Sequence, residues 1–266
     1  MNVVFRFRSI AIWLGLAGVL LAEPVHAYAA ELTFDLSDYA YREEDDNGYF
    51  LMRDESKVAF GSLGIRDWDV PAADGAFGLM YTGEGTAGMV SYHSRSSGTV
   101  KKMYYKARME GYLGYRLNTH VTPFVGLGYR LLHDDSGGDH GDNGGTFYDR
   151  QNHLLYIPLG VRANPTENLS LKAQANAVLK GWQISYTSDG QTGHPDAHNT
   201  QDKGWGLDFA ADYRVSEKWS TYTFFRYWSI DRSDNDCGNV SGRGYICWWE
   251  PDNTTREFGV GVAYRF

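Results

Sequence analysis

Apolar and polar residues alternate strictly along much of this chain. In Met103 to Leu117, MYYKARMEGYLGYRL, one face carries Met103, Tyr105, Ala107, Met109, Gly111, Leu113 and Tyr115. The other carries Tyr104, Lys106, Arg108, Glu110, Tyr112 and Arg116. A period of two marks an extended strand with unlike surroundings on its two sides. In Leu169 to Trp182 the apolar face is Leu169, Leu171, Ala173, Ala175, Ala177 and Leu179, opposed by Ser170, Lys172, Gln174, Asn176 and Lys180. A helix would scatter these residues around its circumference. Trp205 to Arg214 and the closing REFGVGVAYRF repeat the pattern, the latter with Phe258, Val260, Val262, Tyr264 and Phe266 on one face. The same reading predicts about ten strands, near 32–42, 57–68, 75–92, 103–117, 120–133, 153–163, 168–186, 204–214, 219–232 and 255–266. The second, third and ninth alternate less cleanly.

The connections between these strands alternate in length. Short ones such as Asn118-Thr119, Asn164 to Glu167 and Val215 to Lys218 are interleaved with polar segments near 43–56, 93–102, 134–152, 187–203 and 233–254. Short turns on one side and long loops on the other characterise barrels of the bacterial outer membrane. The expected fold is therefore all-β: a transmembrane, antiparallel, up-and-down β-barrel of about ten strands, its last strand pairing with its first so that no edge is left in hydrocarbon.

The other end of the chain agrees. Arg6 and Arg8 precede an apolar run from Ile10 to Ala22, and Ala27-Tyr28-Ala29 fits a small-x-small cleavage pattern. Residues 1–29 thus read as a cleaved signal peptide, and 30–266 as the barrel. Composition adds 19 Tyr, 13 Phe, 8 Trp and 31 Gly, with no second long apolar run. Removing residues 1–29 takes away two Arg and one Glu, so the net charge moves from −8 to −9, which argues against a nucleic-acid partner.

Phe258, Tyr264 and the final aromatic Phe266 resemble the C-terminal signal of Gram-negative outer-membrane proteins. That resemblance implies the outer membrane as location, the barrel-insertion machinery as a partner, and outer-membrane lipids and lipopolysaccharide as surroundings.

With apolar faces toward lipid, the lumen receives Glu84, Lys106, Arg108, Glu110, Arg130, Arg162, Lys172, Lys180, Asp208, Asp212, Arg214, Glu257 and Arg265. Unpaired charges there would cost several kcal/mol each, so a filled, ion-paired interior is expected. Arg226 shares its face with Tyr222, Phe224 and Trp228, which requires either a register shift or an aromatic inner wall.

Function is expected in the outer loops. Cys237 and Cys247 should be bonded in an oxidising compartment, and Tyr245, Trp248 and Trp249 on that stapled loop suit a binding surface or an interfacial aromatic belt. In the acidic, Gly-rich loop, Asp139, Asp142 and Asn143 offer oxygens for Ca²⁺, without the closing Glu of a full calcium loop. No other cofactor is expected. The acidic run Glu43 to Asp46 suits cations that bridge lipopolysaccharide phosphates. His194, Asp196 and His198 form a cluster able to bind metal or act as a base with its orienting carboxylate.

A barrel of this size with His and Asp on outer loops resembles the omptin proteases, which pair an Asp–His couple with an Asp–Asp couple across the barrel mouth. The resemblance implies Asp196 with His194 or His198 as the first couple. The facing segment, YHSRSSGTVKK, has no Asp for the second. The leading expectation is a non-enzymatic surface protein that binds an extracellular ligand, acts in adhesion or stabilises the envelope. The alternatives are a narrow small-solute channel and an omptin-like or lipid-modifying hydrolase at the mouth.

Overall fold

The computed structural model describes residues 30–56, 59–68, 73–190, 194–240 and 242–266. The signal segment, 1–29, lies outside the described residues. The strands are β1 (Glu31–Glu44), β2 (Phe50–Ser56), β3 (Phe60–Asp67), β4 (Phe77–Ser94), β5 (Gly98–Tyr115), β6 (Val121–Asp135), β7 (Arg150–Ala163), β8 (Leu169–Ser185), β9 (Ala197–Thr200), β10 (Gly204–Arg214), β11 (Trp219–Ile230), β12 (Asp236–Val240), β13 (Gly244–Trp248) and β14 (Asp252–Arg265).

Each neighbour pair is antiparallel, and β14 returns to pair with β1 from Glu31↔Arg265 to Glu44↔Asp252. β2 and β3 are two halves of one barrel stave, pairing with the upper and lower parts of β1. β9 and β10 are likewise successive pieces of one stave on β8. The result is a closed ten-stranded barrel, with β12 and β13 as a separate hairpin above it. Closure leaves no unpaired edge in the barrel wall among the described residues, as hydrocarbon requires.

The alternation of the sequence becomes the wall. Leu32, Phe34, Leu36, Leu63, Leu127, Leu159, Val260 and Val262 all point outward and are exposed. Phe258 and Phe266 of the last strand do so as well. A contiguous apolar surface of this extent needs lipid rather than water around it. Aromatic pairs gird it at the turn end, Phe77 with Tyr115 at 4.8 Å and Trp219 with Tyr264 at 4.9 Å. At the loop end, His153 stacks on Trp182 at 4.8 Å and Trp205 lies 5.3 Å from Tyr227.

Two outer loops are much shorter than the polarity of their segments suggests. β1 and β2 run to Glu44 and from Phe50, leaving 45–49, while β4 and β5 leave only 95–97. The turn-end connection 68–76 is longer than either, so the strict short-and-long alternation does not hold. Beyond the hydrocarbon a strand gains nothing from an apolar outer face. Here Arg42 pairs with Glu44 at 2.6 Å and Arg53 with Glu55 at 3.5 Å on the outer surface.

No register shift relieves β11. Its pairing with β14 is continuous from Trp219↔Tyr264 to Ile230↔Asn253, and Tyr222, Phe224 and Trp228 are buried inside. Aromatics therefore line that wall. Glycines on facing strands make room for such rings: a Cβ at Gly88 would clash with the Phe60 ring, and one at Gly128 with that of Tyr156.

Candidate functional site at the loop end of the barrel

The lumen is filled by a polar and aromatic network. Arg108 holds Asp208 and, at 2.7 Å, Glu110. Lys106 pairs with Glu257 and lies 4.7 Å above the Tyr39 ring. Arg226 clasps Glu84 and reaches Glu257 at 3.5 Å. Arg130 donates to Thr255 at 3.1 Å and stacks over Trp228. Arg162 donates to Ser170 at 2.6 Å, and Lys172 to Gln174 at 3.2 Å. At the turn end Arg66 joins Glu31 and Asp212, and Arg265 joins Glu31 at 2.9 Å. An interior cavity of about 60 Å³ lies among Thr33, Arg66, Glu84, Asp208 and Tyr222. That is room for a few waters.

Two residues expected in the lumen are not there. Lys180 is exposed and pairs with Asp202 at 3.7 Å. A bulge in β8 is the cause: Leu155 faces Lys180 while Tyr156 faces Val178, so an extra residue moves the following side chains to opposite faces. Above it Gly181, Gln183 and Ser185 point in. Arg214, the last residue of β10, is exposed at the turn end, where the lumen opens.

The mouth contains groups that the sequence reading assigned to loops. Arg150 meets Glu43 at 2.7 Å, Asp134 at 3.3 Å and Glu250 at 3.7 Å. Lys102 meets Asp134 at 2.5 Å and Asp54 at 3.2 Å. Four buried carboxylates thus share two cations. Glu250 accepts a hydrogen bond from Ser185 at 3.0 Å. Burial, offset by Arg150 and reinforced by Glu43, pushes its carboxyl up to about 7. Alternation continuing before 103 and beyond 133 is the signal for Lys102 and Asp134, hidden by the polar flanks.

Loops 186–203 and 231–251 pack together above this plug. Cys237 and Cys247 are bonded and sit opposite each other in the β12–β13 hairpin. Asn199 donates to the carbonyls of Asp234 at 3.0 Å and Trp248 at 3.1 Å, fixing the hairpin to β9. Tyr245 is exposed on the hairpin. Trp248 lies edge-on to His194 at 6.2 Å, and Arg232 stacks 4.3 Å above Trp249. Asp196 accepts hydrogen bonds from the Ser188 amide and hydroxyl, and the His198 amide donates to Asp236 at 2.7 Å. Alternation in β9 turns Ala197 and Asn199 toward the barrel and leaves His198 exposed. Asp196 is thus engaged by Ser188, and His198 points away from the barrel. At the loop ends of β1, β11 and β14, an open groove of about 580 Å³ is lined by Arg42, Glu44, Lys203, Arg232 and Asp252.

Two of the residues proposed for Ca²⁺ already make hydrogen bonds to other segments. Asp142 accepts from the Thr99 amide at 2.8 Å, and the Asn143 side chain donates to the Ser96 carbonyl at 2.8 Å. They tie loop 136–149 to the start of β5 and to loop 95–97. Asp139 remains near Asp149, and burial and that neighbour raise its carboxyl.

The family model for the outer membrane protein beta-barrel domain matches residues 69–266. The chain belongs to this family and is an integral protein of the Gram-negative outer membrane. No curated protein matches it. Among solved structures it is similar to the outer membrane protease OmpT from Escherichia coli, at 11% identity and a TM-score of 0.51, over 89% of this chain and 96% of that one. An outer membrane channel from Pseudomonas putida F1 matches at 12% identity and a TM-score of 0.43, over 92% and 97%. Ail of Yersinia pestis matches at 10% and 0.36, over 89% and 97%. At this identity the likeness to OmpT concerns the fold alone.

Proposed function

We propose that this outer-membrane barrel is a surface-recognition protein that binds an extracellular ligand through the platform formed by the β12–β13 hairpin and β9. The observation that carries this reading is a contrast within one molecule. The lumen is closed by ion pairs and rings, whereas the hairpin above it is stapled by Cys237–Cys247 and held by Asn199. Rigid placement lowers the ordering cost of binding, and Tyr245 supplies an exposed aromatic anchor of the kind that dominates interface energetics.

The test uses protein refolded in lipid vesicles and a panel of matrix proteins and glycans. Wild type should retain at least one ligand that a variant lacking residues 238–246 does not, with equal insertion of both. Binding that survives the deletion, or no binding by wild type, would overturn this reading.

A further inference from the structure

We propose that His133, Asp135 and Asp149 form a divalent transition-metal site, of the Zn²⁺ class, on the outer rim of the barrel. One imidazole nitrogen and one oxygen from each carboxylate lie within 4.8 Å of one another. The backbone dictates this meeting. His133 and Asp135 are two apart on β6 and share its outward face. Asp134 pairs with Arg150, so Asp149, one residue before β7, arrives beside Asp135.

Two further observations point to a ligand. His133 Nδ1 is sealed from solvent and has no hydrogen-bond partner. Asp149 uses only Oδ1, which accepts from the Ser136 and Gly137 amides, so its second oxygen is free for a cation. No Lys or Arg among the described residues forms an ion pair with Asp135 or Asp149. Lys102 and Arg150 are engaged by Asp134 on the inward face. The Tyr105 ring, 5.9 Å away, stacks on His133 and restricts its rotation.

One imidazole and two carboxylates suit Zn²⁺ and similar ions better than Ca²⁺, which favours six or more oxygens. Three protein ligands leave a coordination position open. A bound ion would tie both ends of loop 136–149 together.

The test is titration of the full, refolded chain with Zn²⁺ by calorimetry, and with Co²⁺ by visible absorption. Wild type should bind one ion per chain. His133→Gln and Asp135→Asn should each weaken binding by about tenfold or more, roughly 1.4 kcal/mol, with the heat-modifiable gel mobility of a folded barrel unchanged. Asp149 is avoided because it also caps Ser136 and Gly137. His194→Ala/His198→Ala should bind as wild type does. Absence of binding to wild type, full binding by the His133 and Asp135 variants, loss in the His194/His198 variant, or equal competition by Ca²⁺ would each overturn the proposal.

Discussion

Arg226 and Glu84 meet across the barrel interior although 142 positions separate them, with Nη2 donating to Oε2 at 2.7 Å. The same guanidinium reaches Glu257, which also holds Lys106. Removing it leaves two carboxylates short of a cation in a place with little water. Arg226→Ala should therefore cost about 3–5 kcal/mol, the penalty for breaking a buried pair by one partner. Arg226→Met combined with Glu84→Gln should recover part of the loss, because the orphaned charge is gone. Urea unfolding in vesicles, followed by tryptophan fluorescence, measures both. A single variant as stable as wild type would show that water hydrates Glu84 freely.

The two lysines of β8 offer a paired comparison. Lys172 lies 4.8 Å above Trp68 and donates to Gln174, whereas Lys180 is exposed and pairs only with Asp202. Lys180→Ala should stay within about 0.5 kcal/mol of wild type. Lys172→Ala removes a cation that packs against an aromatic ring and should cost about 1–3 kcal/mol. The same unfolding assay decides. Equal costs would contradict the bulge at Leu179.

That bulge also shows where sequence reading stops. Period-two alternation placed the ten staves and the lumen residues named from Glu84 to Glu257 other than Lys180 and Arg214, because hydrocarbon outside and charge inside leave a strong pattern. It could not show an inserted residue, since one bulge inverts the pattern without changing composition. Nor could it show that β1, β2, β4 and β5 rise beyond the lipid, where both faces of a strand are polar. Lys102, Asp134 and Arg150 were missed as mouth residues for that reason. The meeting of His133 and Asp135 with Asp149 depends on cross-strand register, which no local spacing encodes.

The interior also predicts electrical behaviour. Among the described residues the lumen is crossed by ion pairs and rings, and the cavity between them holds only about 60 Å³. In planar bilayers wild type should be silent at moderate voltage. Steady unitary conductance would mean that the plug rearranges in a membrane, and would move the channel reading ahead of surface recognition.

The Cys237–Cys247 bond closes a short loop, 10 apart in sequence, and chain-entropy reasoning assigns such a closure about 2–3 kcal/mol. The bond lies in the hairpin, outside the barrel ladder. Cys237→Ser/Cys247→Ser should therefore leave barrel insertion and heat-modifiable mobility intact. Hairpin order should fall, read as faster proteolysis near Gly242 to Tyr245 and weaker ligand binding. Loss of insertion instead would place the hairpin in the assembly of the barrel.

Glu250 sets the last expectation. Its carboxyl is pushed up to about 7 in the folded chain, against 4.5 ordinarily. Between these values the folded state holds a proton that the unfolded state has released. Stability from this group is thus fully present below about pH 4.5 and is lost as pH rises toward 7. The most it can contribute is about 3 kcal/mol, at 1.36 kcal/mol for each pKa unit. The cause is local: burial disfavours the carboxylate, Arg150 at 3.7 Å supports it incompletely, and Glu43 competes for the same guanidinium. Glu250→Gln keeps an oxygen for the Ser185 hydroxyl and has no proton to lose. The variant should therefore lose less stability than wild type between pH 5 and pH 8, on the order of 1–3 kcal/mol less. Urea midpoints at four pH values across that interval measure the slope. Identical slopes would mean that another carboxylate of the mouth carries the proton, with Asp54, which has an unpartnered oxygen, the next to replace.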